Sequence, residues 1–257
     1  MSPTRRWLAV SVVSHGQGRL VASLLEDVDR HCDPDSLEVI LTVNIPERLP
    51  FRESDFGYPL TVVGNLRPKG FGANHNAAFR SASGSGFCVL NPDVRFSRDP
   101  FRPLRSRLED PGVGVTAPLV TDPAGRVEDS ARRMPTPAGI LRRMLGGRRE
   151  EGYDVGPPLV EPDWVAGIFM LFPAHVFREA GGFDERYHMY CEDVDLCTRI
   201  RLLGYRIVQD RSVRVVHDAR RKSHRNWIHL AWHVRSLTRF FLSDVYKDAG
   251  GGDVKSN

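Results

Sequence analysis

Five carboxylates, Asp184, Glu185, Glu192, Asp193 and Asp195, fall within twelve residues of a chain whose formal net charge is +4. The stretch that carries them, "GGFDERYHMYCEDVDLC" (181–197), sets them among aromatic and sulfur side chains. That is not the composition of a solvated acidic loop. Leu196, Ile200 and Leu203 follow at helical spacing with Gly204 beyond, which predicts a helix over roughly 191–203. Glu192 and Asp193 then stand in its first turn, where the macrodipole favours anions. Phe183, Tyr187 and Tyr190 would partly desolvate them, raising a carboxyl pKa toward what a general base needs. Asp195, four residues before Arg199, reads as half of an ordinary ion pair along the helix. Asp184 is placed to shape the preceding turn or to touch a ligand.

Three other stretches carry chemistry. In "VLNPDVRF" (89–96) an apolar run delivers Asn91, Pro92 and Asp93 to a strand end. Proline breaks the ladder there, and the projecting carboxylate suits either a divalent cation, which prefers oxygen ligands, or an Asx turn. In "GNLRPKGFGANHN" (64–76), Gly70 and Gly72 lie between a strand and a helix opened by Asn74 and Asn76. Helix-opening amides attract anions, but the spacing is neither a dinucleotide fingerprint nor a P-loop. "VRVVHD" (213–218) ends a strand on His217, which is structural by itself and a candidate metal partner beside Asp93.

The elements that must position these residues alternate. Short apolar runs at 7–14, 37–44, 59–65, 86–93 and 112–120 read as strands, and helical patterns at 18–32, 72–82 and 101–110 lie between them. This is an α/β protein with a mostly parallel central sheet flanked by helices, in which ligands bind beyond the carboxyl ends of strands. The pattern degrades over 121–162, which is rich in Arg, Pro and Gly and reads as a flexible loop with one short helix. Beyond it, "WVAGIFMLF" (164–172) reads as a strand, "AHVFREAG" as a helix start, and "YRIVQD" and "VRVVHD" as two further strands.

With 257 residues and 41% hydrophobic content the chain can build a full core. Four scattered cysteines without a C-x-x-C pair point to reduced, buried thiols. The amino terminus lacks a secretory apolar region, and the longest apolar run is too short to span a bilayer. These features predict a cytoplasmic protein, at most touching the inner face of the cell membrane. From Arg211 to Arg239 there are eight Lys or Arg and four His, and Trp227, Leu230, Ala231, Val234, Leu237 and Phe241 form one helical stripe. Such a helix packs on the core or lies at an anionic bilayer.

In order, "VSVVS", "GFGANHNAAF", "VLNPDVRF", "DWVAGIFMLFPAHVF", "GGFDERYHMYCEDVDLCTRIRLLGYRI" and "VVHD" run through residues 8–218. Together they resemble the family 2 glycosyltransferases of GT-A (Rossmann-like) fold, particularly the rhamnosyltransferase-like branch. The resemblance implies an inverting transferase that moves a sugar, such as rhamnose, from a nucleoside-diphosphate sugar to a saccharide or lipid-linked acceptor in bacterial surface polysaccharide synthesis. It implies a domain over 1–218, divided into a donor half (1–120), the loop (121–162) and an acceptor half (163–218), with a basic amphipathic helix and disordered end over 219–257. It further implies Mg²⁺ or Mn²⁺ at Asp93 and His217, and Asp193 as base supported by Glu192. The donor would lie along Ser14, His15, Asn44, Asn65, Gly72, Asn76, Asn91 and Asp93, and the acceptor at Trp164, Gly167 and Asp184. No nucleic-acid partner is expected. The chain departs from the family at "TVNIPE", where Asn44 and Glu47 replace an aspartate-rich turn, and at "SVVSHGQG", where Ser14 and His15 replace an asparagine-bearing loop. The competing readings are another nucleotide-sugar enzyme, such as a nucleotidyltransferase, and a non-enzymatic basic binder of membrane or nucleic acid.

Overall fold

The computed structural model describes residues 6–144, 157–218 and 227–252. Its first half runs β1 (Leu8–Ser14), α1 (Gly18–His31), β2 (Leu37–Val43), β3 (Leu60–Gly64), α2 (Phe71–Ser81), β4 (Gly86–Leu90), β5 (Val94–Arg95), α3 (Phe101–Arg107) and β6 (Val113–Thr121). Then follow β7 (Ala131–Arg132), α4 (Pro137–Met144), β8 (Leu159–Val160), β9 (Trp164–Val165), β10 (Phe169–Pro173) and α5 (Ala174–Glu179). The chain continues through α6 (Glu192–Leu202), β11 (Arg206–His217), α7 (Trp227–Leu242) and α8 (Asp244–Asp248).

Among the described residues the main sheet has the order β3-β2-β1-β4-β10-β6-β11-β5, with β8 pairing on β11. β3, β2, β1 and β4 are mutually parallel, and so are β6 and β11. β10 runs against both of its neighbours. The α/β expectation therefore holds, with the parallel portion divided by β10. β1 is buried at every position but Val13, and β4 and β6 throughout, as strands covered on both faces must be. One apolar cluster packs around α1 and α3 and the other around α2, α5 and α6.

Two strand readings are corrected. "WVAGIFMLF" is not one strand: it breaks at Ala166–Ile168 into β9, which pairs with β7 in a two-stranded ribbon, and β10, which enters the main sheet. The break leaves the Gly167 N–H free to donate to Asp193 Oδ2 at 3.1 Å. "YRIVQD" and "VRVVHD" are instead one strand, β11, whose register slips between Asp210 and Arg214. There Asp210 Oδ1 accepts from the Ser212 backbone N–H and hydroxyl, closing a bulge inside the strand.

Between β6 and β9 the described residues include β7, β8 and the expected short helix, α4, while 145–156 lie outside them. The carboxyl-terminal helices pack on the domain, burying Phe240 and Tyr246 in the cluster around α6. The expected disordered end falls outside the described residues, as does 219–226. No described helix is long and apolar enough to cross a membrane.

Candidate active site

Glu192 and Asp193 open α6, as expected from the helical spacing, and the helix stops at Gly204 with φ of 91°. Asp195 pairs with Arg199 at 2.7 Å. Asp184 chelates the Arg186 guanidinium and accepts the Arg186 N–H, so it shapes the turn before the helix. The residues joining that turn to α6 are unusual. Tyr190 and Cys191 both have left-handed backbone, with φ of 69° and 65°, a conformation that costs an L-residue roughly 1–2 kcal/mol.

The two adjacent carboxylates have unlike surroundings. Glu192 is buried, its Oε2 makes no hydrogen bond, and desolvation plus the charge of Asp193 pushes its pKa well above the ordinary value. Asp193 is also raised by desolvation, but the Arg132 charge and the Gly167 and Val194 N–H groups oppose the rise. A proton shared by the pair therefore resides on Glu192, and Asp193 is the member that ionises.

Asp193 is partly exposed at the wall of a cavity of about 230 Å³. Trp164, Met134, Ile140 and Leu237 give the cavity apolar walls, Arg132, Arg133 and Arg142 give it cationic ones, and the His233 ring also lines it. Trp164 is fixed by its indole N–H to Arg133 O at 2.8 Å and by the Arg132 guanidinium 4.8 Å over its ring.

β4 ends at Leu90, so Asn91–Pro92–Asp93 form the turn into β5. Asp93 Oδ1 is buried and makes no hydrogen bond, and it lies 3.3 Å from His217 Nε2. On its other side His217 Nδ1 is 2.7 Å from Glu128 Oε2. Burial alone would lower the His217 pKa, but Asp93 and Glu128 outweigh it and raise it to about 9. Asp93 Oδ1, without a hydrogen bond and facing His217 Nε2, while Glu128 holds the opposite ring nitrogen, fits a divalent cation at Asp93 and His217 that would take the place of the Nε2 proton. No cluster of three or more such ligands occurs among the described residues. The Asp93 turn and Asp193 meet on one segment: the Asn91 N–H donates to Ile168 O at 2.9 Å, and the adjoining Gly167 N–H donates to Asp193.

At the edge of β1–β3, Asn44 accepts from Asn65 Nδ2 and the Lys69 N–H and donates to Lys69 O, while its amide lies 3.1 Å from His15 Nδ1. Asn65 also donates to Asn74 Oδ1. These polar groups form one closed network. Ser14 donates to Glu47 Oε1, and Glu47 also accepts from the Gly16 and Gly18 N–H groups. The departure at "NIPE" thus serves as a cap for α1, whose own N-cap residue Gln17 makes no side-chain hydrogen bond. Gly72 and Asn76 bind α2 to the acidic loop: a Cβ on Gly72 would lie 2.5 Å from Phe183 Cβ, and Asn76 brackets the Phe183 main chain at 2.8 and 2.9 Å.

Sequence reasoning missed Glu128, Arg132, Met134, His233 and Leu237 as parts of the site. The first three lie in the segment without periodicity, where an acid amid arginines was the available signal. The last two lie on α7: Leu237 belongs to the stripe read from the spacing and faces the cavity instead of sharing the exposed side of Trp227, Leu230 and Val234, and His233 lies outside that stripe.

No family model matches the sequence. The chain is 37% identical over 172 residues to an N-acetylglucosaminyl-diphospho-decaprenol L-rhamnosyltransferase of Mycobacterium tuberculosis, covering 61% of this chain and 54% of the relative. It therefore spans about half the length of that relative. It is 29% identical over 245 residues to the rhamnosyltransferase WbbL of Escherichia coli, covering 90% of this chain and 91% of WbbL. A mannosyltransferase from Pyrobaculum calidifontis, solved with GDP-Man and Mn²⁺, superposes with a TM-score of 0.64 at 20% identity, over 92% of this chain and 66% of that one. The superposition shows the GT-A fold, and motif order and relatives together make the chain similar to the family 2 glycosyltransferases of the rhamnosyltransferase-like branch.

Proposed function

We propose that the chain is an inverting glycosyltransferase moving a sugar, rhamnose by similarity to its relatives, from a nucleoside-diphosphate donor to a lipid-linked saccharide in surface polysaccharide synthesis. The observation that carries this reading is the attachment of Asp93 and Asp193, through their neighbours, to the same Ile168–Gly167 segment. One carboxylate belongs to a strand-end turn beside His217, and the other to the wall of a cavity.

In this reading Asp193 takes the proton of the acceptor hydroxyl as that oxygen attacks the anomeric carbon. The bond to the diphosphate breaks on the far side, and configuration inverts. Glu192 keeps its proton and leaves Asp193 as the ionised member of the pair. Gly167 orients Asp193, and Trp164 with the apolar wall holds the acceptor while excluding water. Asp93 and His217 would hold Mg²⁺ or Mn²⁺, which when bound neutralises the charge of the leaving diphosphate. Ser14, His15, Asn44, Asn65 and Asn91 border the donor, and Asp184, Gly72 and Asn76 support the acidic loop beside the acceptor. The arginines of the cavity suit a diphosphate-bearing acceptor. The name of the Mycobacterium relative specifies a diphospho-decaprenol acceptor, and both relatives' names specify rhamnose. The outward face of α7, with Trp227, Leu230 and Val234 exposed, would rest on the membrane that presents such a lipid.

Asp193→Asn and Asp93→Asn each abolish transfer from a nucleotide sugar to a polyprenyl-diphosphate saccharide while leaving the melting temperature within a few degrees of the parent. Normal turnover by either variant removes that residue from its role.

A further inference from the structure

Among the described residues Tyr190 and Cys191 are the non-glycine positions with left-handed backbone, and they directly precede Glu192 and Asp193. Such residues persist where their surroundings over-determine them, and they gather at functional sites. Here the surroundings are α2 on one side and α7 on the other. From α2, the Phe71 N–H donates to His188 O at 2.9 Å. From α7, Ser236 Oγ donates to Met189 O at 2.8 Å, the Trp232 ring lies 4.8 Å from His188, and His229 Nδ1 lies 3.0 Å from the Tyr190 hydroxyl. The His233 ring meets Tyr190 edge-on at 5.2 Å.

We infer that α7 is a clamp that sets the catalytic base, and that His229, through the Tyr190 hydroxyl, is its positioning residue. The inference rests on Asp193 being the base. Three successive residues of the loop, His188, Met189 and Tyr190, are each held by a different α7 side chain. The left-handed turn they enforce aims the first turn of α6 so that Asp193 meets the Gly167 N–H. Once released from α7, Tyr190 can relax to negative φ, and the first turn of α6 rotates away from Gly167. The same helix supplies His233 and Leu237 to the cavity wall, so an occupant of the cavity also touches the clamp.

Tyr190→Phe removes one oxygen, His229→Leu removes the ring nitrogens, and His229→Gln retains a polar group that can pair with the hydroxyl. The first two are expected to lower kcat about tenfold or more with the donor KM unchanged, and to speed amide exchange at 190–194 without moving the global unfolding midpoint. His229→Gln is expected to stay near the parent. Should His229→Leu fail to fold, Tyr190→Phe carries the same test. An inactive Asp193→Asn beside fully active Tyr190→Phe and His229→Leu, with unchanged exchange, overturns the clamp alone. A fully active Asp193→Asn overturns the base assignment beneath it, and a His229→Gln as slow as His229→Leu overturns the role given to His229.

Discussion

Glu192 and Asp193 are neighbours with nearly the same chemistry, and the fold separates them by what their oxygens meet. Asp193 receives two backbone N–H groups and faces Arg132, whereas Glu192 has an unpartnered buried oxygen and a like charge beside it. A carboxyl whose folded pKa is raised contributes stability that is full below its unfolded value, near 4.5 for Glu192, and is lost as pH rises through the folded value. Glu192→Gln keeps the neutral form at every pH. The variant is therefore expected to melt near the parent at pH 4 and above it at pH 8, and equal melting at both would show that Glu192 ionises freely in the fold. The sequence made the pair visible through the helix spacing and the aromatic lead-in. It could not say which member ionises, because Gly167 and Arg132 lie more than twenty residues away along the chain.

At the scale of elements, α2 and the acidic loop are locked by close approach rather than by charge. A Cβ on Gly72 would meet Phe183 Cβ at 2.5 Å, and Phe183 cannot retreat because Asn76 holds its backbone N–H and carbonyl. Overpacking of this kind costs about 1–3 kcal/mol. Gly72→Ala should lower the urea midpoint by a corresponding amount, and an unchanged midpoint would mean that the loop moves freely against α2. The strands β1 to β4 and β6 were legible because a strand buried on both faces is written as a short apolar run. The break at Gly167 was not, since "WVAGIFMLF" is apolar throughout and only the remote Asp193 explains why the chain leaves the sheet there. The two short strands read from "YRIVQD" and "VRVVHD" merged for the converse reason: Asp210 and Ser212 satisfy the bulge locally, so polar residues that resemble a turn sit inside β11. Glu128 escaped notice because its partner, His217, is 89 residues distant.

The whole molecule joins these parts through α7, whose two faces do different things. Its inner face buries Ser236 and Phe240 and grips the loop before the base, while Trp227, Leu230 and Val234 project outward along one stripe. Their spacing matches two helical turns, and their exposure opposite a buried face is the arrangement of an interfacial helix. Deleting the carboxyl-terminal segment would confound the two faces, since Phe240 belongs to the core. Replacing Trp227, Leu230 and Val234 together with serine isolates the outer one. On the proposed reading the triple variant retains its melting temperature and its turnover of a short-chain, water-soluble acceptor, because neither the cavity nor the 188–191 loop is touched. Turnover of a long-chain polyprenyl-diphosphate acceptor in anionic vesicles falls, and so does co-sedimentation with those vesicles, the more so at high salt where the remaining basic charge is screened. An equal loss on both acceptors would place the stripe in the structure of the site, and an equal retention on both would leave the lipid to be recognised by the cavity alone.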